Sequence, residues 1–132
     1  MQEYTKLIDS ARNALKNAHA PYSRFRVGAA ILASSGKIYA GCNIETSSYG
    51  LTICAERVAV FKAVSEGDAV FTAIAIATIT EKPCPPCGAC RQVLWDICRD
   101  IDVVMVAKNG DISTAKLSSL FPMAFDEDFL AK

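Results

Sequence analysis

The sequence predicts an α/β fold: a three-layer sandwich around a mixed sheet of roughly five strands. Three observations predict it. Helical periodicity and short apolar runs alternate along the chain. The runs at 27–33, 70–79 and 103–107 are almost continuously apolar, as strands are when both faces of their sheet are covered. Asn109-Gly110 is a strong hairpin signal that turns the last strand back antiparallel and so makes the sheet mixed.

Tyr4, Leu7, Ile8, Ala11, Leu15 and Ala18 recur at helical spacing with charges between them, which predicts an amphipathic first helix stopped by Ala20-Pro21. The run at 27–33 is the first strand. Ser34-Ser35-Gly36 supplies turn chemistry, and 38–42 is the returning strand. Residues 43–53 are polar, small and aromatic without periodicity, and read as an ordered loop. Ala55, Val58, Ala59, Phe61 and Val64 support a second helix, with Gly67 as its stop. Residues 70–79, rich in β-branched side chains and Ala, form a central strand broken by Pro83-Cys84-Pro85-Pro86. A third helix carries Val93, Leu94 and Ile97, and 103–107 is the next buried strand. A cluster of Leu117, Leu120 and Phe121 precedes an acidic tail.

The length suits one domain spanning 1–132. Hydrophobic residues make up 52% of the chain, which excludes disorder and leaves apolar surface for a subunit interface. Formal net charge is zero, which argues against a phosphate-backbone partner. Glu3, Lys6, Asp9 and Arg12 interrupt any signal-peptide core, and no apolar run is long enough to span a bilayer, so a cytoplasmic location without membrane partners is expected. In a reducing compartment, clustered cysteines bind metal or do chemistry more often than they form disulfides.

Two segments carry the chemistry: Cys54-Ala55-Glu56-Arg57 and Pro86-Cys87-Gly88-Ala89-Cys90-Arg91-Gln92. Cys87 and Cys90, three apart at a helix start, put both sulfurs on one side of the first turn. Cys54 opens the other helix. Three thiolates can meet one Zn²⁺ and leave a fourth tetrahedral position for water, the mark of a catalytic site. Helix N-termini favour the thiolate form. Glu56 lies two residues after a ligand, within reach of the metal's water without being a ligand. Cys-x-Glu with Pro-Cys-x-x-Cys is the three-cysteine form of the zinc deaminase pattern, in which that Glu shuttles protons. Arg57, one helical turn from Cys54, can donate to the sulfurs and offset their charge; the bland alternative is a surface ion pair.

Further blocks carry a resemblance: Pro21-Tyr22-Ser23-x-Phe25-x-Val27-Gly28-Ala29-Ala30, Gly41-Cys42-Asn43-Ile44-Glu45 and Ser48-Tyr49-Gly50-Leu51. With the two cysteine segments they resemble the short, homotetrameric, zinc-dependent cytidine deaminases, from about Tyr22 to Phe125. The resemblance implies one zinc per chain, a small nucleoside substrate, and hydrolysis of the amine at C4 of cytidine or deoxycytidine with Glu56 as proton shuttle. It implies that Asn43 and Glu45 bind the ribose, that Phe25 and Ala55 contact the substrate, and that Phe125 stacks on the base in a neighbouring subunit's site. Thr46 departs from the family pattern, where many relatives have Asn, and so does Asp126, where Gly often follows the Phe.

Taken alone, Phe25 and Phe125 read as core, Glu45 as a surface charge, and Trp95 as helix packing or an interface. Cys42 and Cys98 read as core thiols. Cys84 makes a second C-x-x-C with Cys87, which makes it a candidate spare ligand or oxidation-prone thiol, but its Pro85-Pro86 spacer is stiff, so packing on the solvent side of the loop is expected. His19, at the end of the first helix, has no catalytic role. A thiol oxidoreductase would leave Cys54-Ala55-Glu56 unexplained. A nucleic-acid deaminase needs a basic channel, and that branch places a helix between its last two strands. A deaminase of cytosine nucleoside antibiotics, such as the blasticidin family, fits the Asn43-Ile44-Glu45 block less well.

Overall fold

The structure is a computed structural model, and it describes residues 4–130. Helix α1 (Thr5–Leu15) is followed by strands β1 (Val27–Ala33) and β2 (Ile38–Cys42), helix α2 (Ala55–Ser65) and strand β3 (Phe71–Thr78). Helix α3 (Gly88–Cys98), strands β4 (Asp102–Val106) and β5 (Ile112–Lys116), and helix α4 (Leu117–Leu120) complete the order. The sheet runs β2-β1-β3-β4-β5. All pairs are antiparallel except β3–β4, which is parallel and has α3 as its crossover. The expected α/β sandwich with a mixed five-stranded sheet is what forms, and the Asn109-Gly110 turn joins the antiparallel β4 and β5.

The sequence of β3 shows how the three layers arise. Alternation along Phe71-Thr72-Ala73-Ile74-Ala75-Ile76-Ala77-Thr78 sends Ala73, Ala75 and Ala77 to one face and Ile74 and Ile76 to the other. The alanine face, with Ala30, Val104 and Val106, packs on Leu7, Ile8 and Ala11 of α1. The isoleucine face, with Ala29, Ile31, Val103 and Met105, packs on Ala55, Ala59 and Val60 of α2 and Leu94 of α3. Small residues bring α1 close to the sheet, and closest at Gly28. A Cβ built there would lie 2.1 Å from the Ala11 carbonyl oxygen and 2.5 Å from Leu15 N, both backbone atoms. Gly28→Ala therefore pushes α1 off the sheet, and overpacking of this kind costs about 1–3 kcal/mol or more. The urea midpoint should fall accordingly; an unchanged midpoint would show that α1 yields freely.

Helix α1 ends earlier than its apolar pattern. After Leu15 the chain tightens into three-residue turns, with Asn17 N on Ala14 O and Ala18 N on Leu15 O, while Ala18 stays buried. The following segment is then pinned beside the 43–45 block by His19 N to Asn43 O (2.9 Å) and Glu45 N to His19 O (2.8 Å). Among the described residues, no helix is long and apolar enough to cross a membrane.

Candidate active site

The parallel pair and its crossover decide where the site lies. In such sheets the crevice for ligands opens beyond the carboxyl ends of the strands. Here the end of β3, at Ile76 and Thr78, lines a cavity of about 300 Å³. Helices α2 and α3 both begin at its rim, and each is preceded by an extended cysteine: Cys54 (φ −75°, ψ 152°) and Cys87 (φ −68°, ψ 168°). Neither thiol caps its helix through a side-chain hydrogen bond, and both stand at the N-terminal ends of their helices, where the dipole favours negative charge. Cys90, in the first turn of α3, is buried.

The Sγ atoms of Cys54, Cys87 and Cys90 all lie within 4.8 Å of one another. Cys54 and Cys87 are 3.8 Å apart, which is about the sulfur–sulfur spacing that tetrahedral Zn–S bonds of about 2.3 Å require. The donor set, three soft thiols at two helix N-termini, fits zinc. Arg57 adds a cation: its Nη2 donates to Cys54 Sγ at 3.4 Å, and its Nε is buried without a hydrogen-bond partner. The Cys54 thiol is pulled down to about 5, first by the hydrogen bond from Cys90 and then by Arg57 and Cys87. Cys90 is pushed up because it keeps the proton that it donates.

Glu56, one residue into α2, is 5% exposed and lines the same cavity. Burial raises its carboxyl to about 7. A group poised there can take and return a proton near neutrality. Ala55, fully buried, sits beside it on the wall. Phe25 forms another part of the wall. Asn43 also lines the cavity, and its amide bridges the chain on either side of Arg26: Nδ2 donates to Phe25 O at 2.7 Å and Oδ1 accepts from Val27 N at 3.0 Å. One amide hydrogen and one lone pair remain for a ligand.

Glu45 lies next door, in a second concavity with Tyr22, Ser23 and Tyr49, joined to the first through the shared Thr52. Its carboxylate accepts from Tyr22 N (3.0 Å), Ser23 N (3.1 Å) and the Ser23 hydroxyl, and the Ser23 contact above all holds it below the usual carboxylate range. Phe125 is not among the residues that line this cavity. It is 54% exposed, stacks on Phe129, and its carbonyl accepts from Gln92 of α3.

Three features lie outside the sequence reading. Cys84, expected on the solvent side, is half-buried and lines the cavity beside Cys87. Arg91 ties the ligand loop to the C-terminal segment, with Nε on Pro86 O at 2.8 Å and Nη1 on Leu120 O at 2.6 Å. Its place between Cys90 and Gln92 was the available signal. Cys42 is half-buried rather than in the core, since it ends the edge strand β2, whereas Cys98 is buried and its thiol is pushed up to about 12 by burial.

Three thiols at paired helix N-termini with a buried carboxyl beside them define a zinc deaminase centre. The family model for the cytidine and deoxycytidylate deaminase zinc-binding region matches residues 1–108. The cytidine deaminase of Sporosarcina psychrophila is 48% identical over 96% of this chain and 93% of its own length. That of Halalkalibacterium halodurans is 51% identical over 90% and 91%. The crystal structure of cytidine deaminase from Burkholderia pseudomallei matches with a TM-score of 0.88 at 44% identity, covering 91% of this chain and 97% of that one. The chain belongs to the cytidine deaminase family, and it is a zinc-binding hydrolase of that class.

Proposed function

We propose that the chain, acting as one domain, hydrolyses cytidine and deoxycytidine to uridine and deoxyuridine with release of ammonia. The observation that carries the residue roles is the buried Glu56 beside the Cys54–Cys87–Cys90 cluster at one apolar-walled cavity. Zinc held by these three cysteines supplies Lewis-acid activation of a water. Glu56 accepts one proton of the attacking water and delivers it to N3 of the ring. It then takes the water's second proton from the new C4 hydroxyl and gives it to the amine, which leaves as ammonia as the C4–N bond breaks and the carbonyl forms. Its burial serves this cycle, because a carboxyl poised near 7 is both acid and base. Arg57 offsets the thiolate charge through Cys54. Ala55 and Phe25 hold the ring, and Asn43 and Glu45 meet the ribose. Glu45 also keeps the Tyr22–Ser23 turn in place.

The assembly is a homotetramer in the cytoplasm with shared sites, and Phe125 serves a neighbour's cavity. Support comes from the exposure of its ring outside its own cavity and from exposed Tyr49, which lines the adjoining concavity, and exposed Leu51, next in sequence to the shared Thr52. A panel of cytidine, deoxycytidine, cytosine and a cytosine nucleoside antibiotic, followed by ultraviolet absorbance, tests the substrate class. Rapid loss of the first two supports it, and turnover of the antibiotic alone contradicts it.

Asn43→Ala and Glu45→Ala should each cost about 10- to 100-fold in kcat/KM on cytidine, the scale of one lost hydrogen bond to a charged or buried group. Cytosine, which has no sugar, should be affected far less. Equal losses on both substrates would make these residues supports of the Phe25 and Tyr22 backbone only.

A further inference from the structure

The C-terminal segment carries an ion clamp that neither the metal centre nor the cavity uses. Asp126 Oδ2 accepts from Trp95 Nε1 at 3.0 Å and pairs with Arg99 Nη1 at 3.3 Å. Asp126 Oδ1 accepts from Asp128 N at 3.0 Å and starts a 3₁₀ turn at Glu127–Phe129. Arg99 pairs in addition with Glu127, and its guanidinium lies 6.0 Å from the centroid of the Trp95 ring. On the other side, Gln92 Nε2 donates to the Phe125 carbonyl at 2.8 Å. The backbone that follows the Phe125 ring is therefore tied to α3 at consecutive residues.

Arg99 itself has φ 62° and ψ −142°, a conformation strained for any residue with a Cβ. Glycine would fit there without strain but would lose the clamp. The clamped segment nevertheless leaves its aromatic rings outside. Phe125 and Phe129, 54% and 71% exposed, stack at 5.7 Å with an interplanar angle of 18°. A fixed backbone presenting an exposed ring is a preorganised contact, because little chain entropy remains to be lost when the ring docks.

We propose that the Trp95–Asp126–Arg99 clamp positions the Phe125 ring to close the nucleoside cavity of a second copy of this chain. The proposal rests on the reading that Phe125 acts on a neighbour. The occupant is a second copy because the chain's own cavity lacks this ring and because a chain of zero net charge does not repel its twin. Asp126, Trp95 and Arg99 are positioning residues: they reach the substrate only through Phe125.

The test uses the zinc-loaded enzyme. Asp126→Ala should raise KM for cytidine toward the effect of Phe125→Ala, about 5- to 150-fold for one lost base–aromatic stack. Both kcat and zinc content should stay within about twofold of wild type. Trp95→Phe, which deletes the Nε1 donor together with part of the ring that Arg99 faces, should move KM the same way, and Asp126→Asn, which keeps one of the two acceptor oxygens and sets an NH2 in place of the other, should recover only part of the loss. Asp126→Ala subunits are then exchanged with Glu56→Gln subunits, which have an intact clamp and an inactive cavity. A class of sites with wild-type KM should appear. If exchanged tetramers keep the high KM, or if kcat falls with KM unchanged, the clamp proposal is overturned. Phe125→Ala exchanged with Glu56→Gln separates the two failures. Rescue there without rescue of Asp126→Ala removes the clamp alone, and no rescue in either removes the reading of Phe125 on a neighbour.

Discussion

Glu56→Gln should bind zinc and nucleoside normally and lose turnover by about 10²- to 10⁴-fold or more. General acid–base catalysis by one group is worth about that much, and here one carboxyl serves the attack, the ring nitrogen and the leaving amine. The substitution is nearly isosteric, so the packing of a residue only 5% exposed is kept. What is lost is the titratable proton. Burial is the largest influence on this carboxyl and raises it, so it exchanges protons near neutrality where an exposed glutamate would be fully ionised. Steady-state rates with metal analysis on the same sample check the expectation. Turnover within tenfold of wild type would remove Glu56 from the proton path.

The second large effect is loss of the metal. Cys54→Ala, Cys87→Ala and Cys90→Ala should each abolish or greatly weaken zinc binding, because the described residues near the cluster offer no fourth protein ligand within the same 4.8 Å group. Activity should fall with the metal. A ligand that binds only the folded state stabilises it, by about 2.7 kcal/mol at a hundred times its Kd. A chelator should therefore lower the Tm of the wild type and leave the three variants where they are. Full zinc occupancy in all three would refute the ligand assignment. Cys84, although in the cavity, is not in the cluster, so Cys84→Ala should retain zinc.

The parts of this molecule that were legible in the sequence are those governed by local chemistry. The run at Val27–Ala33, its Ser-Ser-Gly turn and Ile38–Cys42 announce a hairpin within sixteen residues, and it forms. The cysteine cluster was legible because each cysteine segment carries its own helix start, and the residues before α2 and α3 are Cys54 and Cys87. What was hidden depends on distant partners. The order β2-β1-β3-β4-β5 places β1 beside β3 across a whole helix, which no local pattern encodes. Loop 43–53 was recognisable as ordered, yet its Ile44–Ile53 bridge and the 3₁₀ turn at Tyr49–Leu51 follow no hydrophobic periodicity that announces them. Asp126 stood out only as a departure from the family pattern; its partners, Trp95 and Arg99, lie 31 and 27 residues away. Cys84 was misplaced because a stiff Pro-Pro spacer says how the chain extends and not toward what it turns.

The central claim is that the Cys54–Cys87–Cys90 zinc centre performs hydrolytic deamination of cytidine. Zinc titration into the chelator-stripped protein tests it most directly, with cytidine loss followed by ultraviolet absorbance. Activity should rise in proportion to bound metal and level off at about one zinc per chain, as expected of a single three-ligand site. Full activity in zinc-free protein, or no loss of cytidine at any zinc ratio, would contradict it.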